Sequence, residues 1–130
     1  MKITQLIYTS ALSSPAKVIA IPSILRGSRI RNFQHGITGV LLFDGHYFCG
    51  WLEGEENAIN HLHQNIERDE RHADFKVISY NDARNIRTFA GWSVGYSRDC
   101  PSSVIPALID SPQEKISSGF TQFVSSFDLV

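Results

Sequence analysis

Long apolar runs are absent from this chain of 130 residues. A membrane-spanning helix needs about 20 predominantly apolar residues in succession, and no segment approaches that length. The opening segment, MKITQLIYTSALSSP, carries one lysine and alternates in polarity, so it lacks the pattern of a signal peptide. We therefore expect no membrane partner, and we expect the protein to act in the cytoplasm.

Cysteine is scarce, with Cys49 and Cys100 as the two examples. Their spacing does not fit metal ligands, and a single disulfide would be an unusual staple for a domain of this size. Five histidines are present, but His61 and His63 lie two residues apart on a predicted helix, where same-face ligands are three or four apart. The sequence thus favours solvated histidines over a zinc pair, and we expect no metal.

An excess of charge is also missing, because the formal net charge is −1. Broad affinity for nucleic acid needs clustered basic residues, so we expect no nucleic-acid partner. The charge is nevertheless uneven, with five basic residues and no acids in 1–43, and eight acids against two arginines in 44–74. Either two oppositely charged solvated helices lie side by side, or the basic helix faces an anionic ligand such as a phosphate.

The pattern of polarity predicts five strands and two helices before a C-terminal tail. Asp44-Gly45 between two apolar runs predicts a hairpin turn. The first helix is expected to begin properly near Pro22, because proline is tolerated in a first turn but not in a helix interior. In chain order the predictions are strand 2–10, helix 16–34, a hairpin over 36–53, a helix opening at 54–56, strand 74–80 and strand 87–96.

This order, β-α-β-β-α-β-β, predicts an α+β, ferredoxin-like sheet with one extra strand and two helices on one face. The second helix has an apolar stripe at helical spacing, formed by Ala58, Ile59, Leu62 and Ile66. For the proline-containing tail we expect one short amphipathic helix that packs on the sheet or at an oligomer contact. The apolar residues of that helix are Phe120, Phe123, Val124 and Phe127.

Catalytic motifs are missing as well, since there is no GxGxxG and no phosphate-binding loop. Cys49 lies within a predicted strand and is better explained as a small core residue than as a nucleophile. A small hydrolase that uses Arg29 of the basic helix for phosphate is the weakest hypothesis, because no base–nucleophile pair is visible. We expect no enzyme activity.

Six short segments together resemble the BLUF family of photosensors (blue light using FAD) over residues 2–98. They are LIYTS at 6–10, SRIRN at 28–32, GITGVLLF at 36–43, an FxxxLEG run at 48–54, DERH at 69–72 and FAGWSVGY at 89–96. Each segment alone is a weak signal, but their order and intervals are those of the family. The resemblance implies a ferredoxin-like sheet with a flavin ring inserted between its two helices.

The resemblance also implies roles for particular residues. Tyr8 matches the tyrosine that donates an electron and a proton to the excited flavin, with a core aromatic as the alternative. Asn32 matches the asparagine that holds the polar edge of the ring, with a helix C-terminal residue as the alternative. Trp92 matches a tryptophan of the fifth strand that packs in or swings out with the light state. The other flavin-binding residues implied are Ile24, Leu25, Ser28, Arg29, Asp69, Arg71 and His72. For Arg71 the alternative is a surface salt bridge.

Two positions depart from the family pattern in the photochemical site. Gly50 stands where FxQxLEG has its glutamine, and Val94 stands where methionine is usual. In the family the glutamine amide lies between the tyrosine and the flavin and rearranges on illumination, which glycine cannot do because it has no side chain. Valine keeps an apolar contact but is stiff where methionine is flexible. The resemblance therefore implies flavin binding with impaired or altered photoswitching.

The expected function is a flavin-binding blue-light sensor that signals through protein–protein contacts. FAD is the expected cofactor, with FMN or riboflavin as alternatives, and the expected partners are an unidentified downstream protein and further copies of the chain in a homo-oligomer. The alternative function is a flavin-free interaction module derived from the same fold. We expect residues 1–98 to form the flavin-binding domain and residues 99–130 to form the tail.

Overall fold

The computed structural model describes residues 2–97, 100–126 and 129–130. It confirms the predicted β-α-β-β-α-β-β order, and α1 begins at Ile21, beside Pro22, as expected. The elements are β1 (Ile3–Leu12), a 3-10 turn (Pro15–Ala20), α1 (Ile21–Gln34), β2 (Thr38–Phe43), β3 (Tyr47–Gly54), α2 (Glu56–Arg68), β4 (His72–Arg84), β5 (Gly95–Ser97), α3 (Val104–Ile109) and α4 (Gln113–Val124).

The five strands form one sheet in the order β4-β1-β3-β2-β5. β1 is antiparallel to both β3 and β4, β2 is antiparallel to β3, and β5 is parallel to β2. Nearly every residue of β1 and β3 is buried, as expected for strands covered on both faces. The register places Tyr8 opposite Gly50 on one side and Val77 on the other.

Helices cover both faces of this sheet, so the molecule has three layers. The α1 and α2 side confirms the predicted fold, and its core contains Leu6, Tyr8, Leu25, Leu41, Phe48 and Ile59. The predicted stripe of α2 packs against the same cluster. The opposite face packs against α3 and α4, with a core that contains Ile7, Cys49, Trp51, Ile105, Phe120 and Val124. In the described part of the chain, none of the helices is both long and apolar enough to cross a membrane.

The C-terminal region forms two short helices, α3 and α4, where one short helix was expected. The prolines lie at positions where a helix tolerates them. Pro106 is the third residue of α3, where the backbone N–H has no partner within the helix in any case, and Pro112 is the N-cap residue of α4. Phe127, which was assigned to the tail's apolar face, lies outside the described residues, as does the boundary between residues 98 and 99.

The predicted bounds of the last two strands were also wrong. β4 is longer than 74–80, whereas the segment predicted as strand 87–96 is mostly a connection that ends in the three-residue β5. The backbone N–H groups of Thr88 and Phe89 donate to the Glu53 carboxylate at 2.9 and 2.8 Å. A segment whose N–H groups bind a side chain in this way does not extend the strand ladder at those residues.

The hairpin at Asp44 forms as predicted, but its connection is longer than a two-residue turn. Phe43 pairs with Phe48, which leaves four residues between the last paired positions. Gly45 has a φ of 100°, a conformation that favours glycine. The Asp44 carboxylate accepts hydrogen bonds from the backbone N–H groups of His46 and Tyr47 at 2.9 and 2.8 Å, which closes the turn.

Candidate functional site

A cavity of about 290 Å³ lies between α1, α2 and the sheet. Ligand pockets commonly measure about 300–1,000 Å³, so this one suits a small ring system and not a whole dinucleotide. Aliphatic side chains of the sheet and of both helices form much of its lining, including Leu41, Leu52, Ile24, Leu62 and Ile66. The cavity therefore offers an apolar slot between the two helices.

Seven of the nine cofactor-binding residues implied by the sequence line this cavity. On α1 they recur every four residues, which places them on one face of the helix. The others come from β1 and from the junction of α2 with β4, which are distant in sequence. The seven are Tyr8, Ile24, Ser28, Asn32, Asp69, Arg71 and His72, and Gly50 and Val94 line the same cavity.

Leu25, Arg29 and Trp92 do not line the cavity. Leu25 and Arg29 face a second, more open groove on the other side of α1. The Arg29 guanidinium donates to the Val94 carbonyl at 3.1 Å and to the Val130 carbonyl at 2.6 Å. Trp92 precedes β5, and its side chain is 38% exposed. Flavin binding by Leu25 and Arg29, and the photochemical role of Trp92, stay predictions that the position of the cavity does not support.

The phenol ring of Tyr8 occupies the space above Gly50. A Cβ atom placed on Gly50 would lie 2.2 Å from Cε1 and 2.8 Å from Oη of Tyr8. The ring also stacks on Phe75, with 5.2 Å between centroids. Burial raises the pKa of Tyr8 far above its ordinary value, and the negative charge of Asp69 adds to this effect. The phenol therefore holds its proton throughout the physiological pH range.

Asn32 is buried in the last turn of α1, with 3% of its surface exposed. The side-chain Nδ2 of Asn32 donates to the backbone carbonyl of Ser93 at 2.9 Å. The backbone carbonyl of Asn32 accepts from the N–H of Ile37 at 2.8 Å. A primary amide carries two donor hydrogens and one acceptor oxygen, so the bond to Ser93 uses one of three. Asn32 therefore combines a structural bond with a position on the cavity wall.

Asp69 and Arg71 form an ion pair at the edge of the cavity, as in the salt-bridge alternative for Arg71. Arg71 Nε lies 2.9 Å from Oδ1 of Asp69, and Nη2 lies 2.6 Å from Oδ2. The hydrogen bonds from Arg71 lower the pKa of Asp69. Because Asp69 binds the single guanidinium edge formed by Nε and Nη2, a phosphate would have to use the side of Arg71 that carries Nη1 or displace the carboxylate.

His72 lies beside the ion pair on β4. Its Nδ1 is 2.8 Å from the hydroxyl of Ser10, and its ring centroid is 4.8 Å from that of Phe48. Burial lowers the pKa of His72, which outweighs the opposite influence of Asp69. The neutral imidazole is therefore the favoured form at neutral pH.

Two residues that sequence reasoning missed contribute to this region. Asn65 lines the cavity from α2, and it lies three residues after Leu62 and four before Asp69, a helical spacing that could have identified it. Glu53 is a carboxylate with 1% of its surface exposed, on the sheet face opposite the cavity. An acid within an otherwise apolar central strand was the available signal for Glu53.

The cysteines are core residues, as predicted for Cys49. Both are free and buried, and burial raises the pKa of Cys49 far above its ordinary value and that of Cys100 to about 11. Such thiols are protonated at neutral pH and are poor nucleophiles. Within residues 2–97, 100–126 and 129–130, no group of three or more His, Cys, Asp or Glu side chains is placed to hold a metal ion.

Solved structures share this architecture. The chain superimposes on "BlrB - a BLUF protein, dark state structure" with a TM-score of 0.78 and 26% identity, covering 96% of each chain. It also matches "BlsA ground state" with a TM-score of 0.83 and 20% identity, over 98% of this chain and 91% of that one, a likeness that concerns the fold alone.

Curated relatives are much longer than this chain. The Euglena longa protein "Photoactivated adenylate cyclase subunit beta" is 29% identical over 108 residues, which are 83% of this chain and 13% of the relative. The Escherichia coli (strain K12) protein "Blue light- and temperature-regulated antirepressor BluF" is 36% identical over 70 residues, which are 54% of this chain and 17% of the relative. The chain thus spans less than a fifth of either protein.

A family profile described as "BLUF: Sensors of blue-light using FAD" matches residues 3–95. The match includes the segments that supply the cavity between α1 and α2, from Tyr8 on β1 to Val94 before β5. With the fold, the cavity and the profile in agreement, this chain belongs to the BLUF family of flavin-binding blue-light sensor domains.

Proposed function

We propose that this domain binds the ring system of a flavin, with FAD as the preferred form, in the cavity between α1 and α2, and that it senses blue light there. The observation that carries the proposal is the convergence of Tyr8, Asn32 and His72 on one apolar slot from three separate elements. Nothing in their sequence spacing requires these side chains to meet, so the convergence supports a common ligand.

The residues present fit such a ligand. Ile24 and Ile66 offer aliphatic contacts from the two helices, and Asn32 offers an amide to a polar ring edge. When bound, the flavin supplies absorption of blue light and an acceptor for an electron. Tyr8 is the nearby donor, and its raised pKa keeps the proton on Oη until the phenol is oxidised.

The preference for FAD, FMN or riboflavin depends on contacts to the part of the molecule beyond the flavin ring, which would lie at the edge of the cavity near Arg71. Because Arg71 is held by Asp69, we propose that the ring provides most of the binding and that FMN or riboflavin can replace FAD with a modest loss of affinity. Asp69 already binds the Nε–Nη2 edge of Arg71, so a phosphate cannot form a two-point contact with that edge unless it displaces the carboxylate, and this is the physical basis of the proposal.

Gly50 alters the photoswitch in this proposal. Without a side chain at this position, residue 50 places no amide between Tyr8 and a flavin ring in the cavity, and the Tyr8 ring occupies the space above the glycine. We expect electron transfer from Tyr8 to occur without a hydrogen-bond rearrangement that persists in the dark. Absorption spectra of the flavin-loaded protein, recorded in the dark and under blue light, test this, and a long-lived red-shifted flavin band would contradict it.

Signalling, in the same proposal, passes through protein–protein contacts of residues 1–98 and of the tail, with a homo-oligomer and a downstream protein as partners. The domain itself catalyses no turnover. Two free, buried thiols suit a reducing compartment, which supports a cytoplasmic location.

A flavin-free interaction module is the second candidate function. Two observations favour it: Asn32 is bonded to Ser93, and Arg71 is bonded to Asp69, so polar groups of the slot are already partnered within the chain. Purified protein that is colourless, stays so after incubation with FAD, and has the same size-exclusion mass with and without FAD would establish this candidate and reject the sensor.

A further inference from the structure

Glu53 is a buried carboxylate that accepts four hydrogen bonds. Its side chain is 1% exposed. Oε1 accepts from the Trp51 indole Nε1 at 3.0 Å and from the Thr88 N–H at 2.9 Å. Oε2 accepts from the Thr38 hydroxyl at 3.0 Å and from the Phe89 N–H at 2.8 Å. An ionised carboxylate has about four acceptor positions, so this environment uses its full capacity.

The guanidinium of Arg87 contacts groups next to the Glu53 carboxylate and not the carboxylate itself. Arg87 Nη1 donates to the Thr38 hydroxyl at 3.0 Å and to the backbone carbonyl of Glu53 at 3.1 Å. A buried charge is costly unless its hydrogen-bonding capacity is satisfied, so each of the donors to Glu53 is hard to remove. The segment that carries Arg87, Thr88 and Phe89 is thereby fixed against β3.

The same segment continues into the wall of the flavin cavity. Trp92 and Ser93, further along this segment, accept hydrogen bonds from two residues that line the cavity. The Trp92 carbonyl accepts from the Gly39 N–H, and the Ser93 carbonyl accepts from Asn32 Nδ2, both at 2.9 Å. Val94 then lines the cavity itself. The position of this wall therefore depends on where residues 88 and 89 are held.

The other end of the Glu53 network reaches the layer of α3 and α4. The Trp51 indole that donates to Glu53 lies 5.3 Å from the Phe120 ring of α4 and 5.1 Å from the Phe89 ring. Arg84 stands over the same indole at 5.8 Å. One carboxylate thus binds both the segment that forms the cavity wall and the indole that packs on α4.

We propose that Glu53 is a positioning residue of the flavin slot, whose carboxylate holds the β4–β5 connection in register and couples the cavity wall to the Trp51 indole and α4. This role rests on the flavin-binding function proposed above. A shift of Ser93 and Val94 alters the hydrogen bonds that Thr88 and Phe89 donate to the Glu53 carboxylate. Because the Trp51 indole donates to the same oxygen, Oε1, as Thr88, its position changes as well, on the sheet face opposite the cavity.

Amide hydrogen exchange and indole resonances of the intact chain test this coupling without relying on photochemistry. In Glu53→Gln an NH₂ group replaces one acceptor oxygen and faces an N–H donor. We expect exchange at Thr88, Phe89 and Gly39 to accelerate about tenfold or more, with little change in the centre of β1. We expect the Trp51 indole signal to shift, assigned by Trp51→Phe because the chain has two tryptophans. Glu55→Gln, an exposed glutamate two residues away, is the control.

FAD addition supplies the second part of the test. In the unmodified protein we expect FAD to shift the Trp51 indole signal, and in Glu53→Gln we expect about tenfold weaker FAD binding and a smaller shift. Thr38→Val removes one of the four donors to the Glu53 carboxylate, so it should accelerate exchange at the same amides by a smaller factor. This variant replaces Glu53→Gln in the test if Glu53→Gln does not fold. Unchanged exchange at residues 88 and 89 in both variants would overturn the positioning role, even if FAD binds. Failure of the unmodified protein to bind FAD would instead overturn the function on which that role rests.

Discussion

Tyr8 on β1 and Gly50 on β3 lie directly opposite each other, and the phenol ring lies over the glycine. The absence of a side chain at position 50 therefore does not leave an empty space between the two strands. The Tyr8 ring occupies volume that a side chain at position 50 would need, so the present position of Tyr8 requires glycine there.

Gly50→Ala is expected to destabilise the protein. Its Cβ would lie 2.2 Å from a ring carbon of Tyr8, so the phenol ring or the β3 backbone has to shift from its present position. Overpacking of this kind costs about 1–3 kcal/mol in the free energy of unfolding, measured by urea denaturation of the flavin-free protein. Gly91→Ala is the matched control, since a Cβ there meets no heavy atom within 4 Å. Equal stability of the two variants would show that Tyr8 moves aside freely.

Gly50→Gln is expected to introduce a lasting light response in the flavin-loaded protein. The added amide offers a donor and an acceptor between Tyr8 and the cavity, provided that the phenol is displaced from the glycine. The flavin absorption band should shift to the red on illumination and return in the dark. Gly50→Met, similar in length and without an amide, is the control. If Gly50→Gln binds flavin and shows no shift, the role assigned to Tyr8 is wrong.

Local patterns were sufficient to predict much of this fold. The apolar stripe of α2 and the hairpin at Asp44 are set by neighbouring residues, and both formed as expected. The segment 87–96 was misjudged because its conformation depends on Glu53, more than 30 residues away along the chain. The second helix of the tail was not foreseen because proline in an unassigned segment suggests irregular structure, whereas a proline in the first turn of a helix breaks no hydrogen bond within it.

The lining residues of the cavity were predictable where helix periodicity determines which side chains share one face. Ile24, Ser28 and Asn32 share one face of α1, so a correct position for one implies the others. Leu25 and Arg29 are each the next residue along, about 100° around the helix, and they face the other groove. The position of the Tyr8 ring was not predictable, because the volume left by a missing side chain can be filled by any neighbour.

Tyr8→Phe is expected to preserve the fold while it removes the electron donor. The stacking on Phe75 is retained, so the free energy of unfolding should change by less than about 1 kcal/mol. Because a benzene ring is much harder to oxidise than a phenol, fluorescence of the bound flavin should rise several-fold. Tyr47→Phe, at an exposed position, should leave the fluorescence unchanged. Equal quenching in Tyr8→Phe and in the unmodified protein would exclude Tyr8 as the donor.

Asn32→Ala is expected to weaken both the fold and flavin binding. The substitution leaves the partly buried Ser93 carbonyl without the donor Nδ2, a loss of about 1–3 kcal/mol in the free energy of unfolding. It also removes the amide from the cavity wall, so the dissociation constant for FAD should increase about tenfold or more. Gln34→Ala, on the exposed side of the same helix, is the control for helix stability. If Asn32→Ala lowers stability and leaves FAD affinity unchanged, Asn32 has a structural role alone.

His72 is expected to make the flavin-free protein less stable as the pH falls below neutrality. Burial lowers the pKa of His72 in the folded protein, whereas the unfolded chain takes up the proton near the ordinary value of 6.5. The unfolded state therefore binds more protons in this range, and the free energy of unfolding decreases as the pH passes downward through 6.5 towards the folded pKa. Asp69, whose pKa is lowered from 3.8, contributes its own pH dependence only below that value, so urea denaturation between pH 5 and 8 separates the two groups. In His72→Gln the dependence in this window should be shallower than in the exposed control His46→Gln, and parallel profiles for the two variants would show that His72 stays neutral or is well solvated in both states.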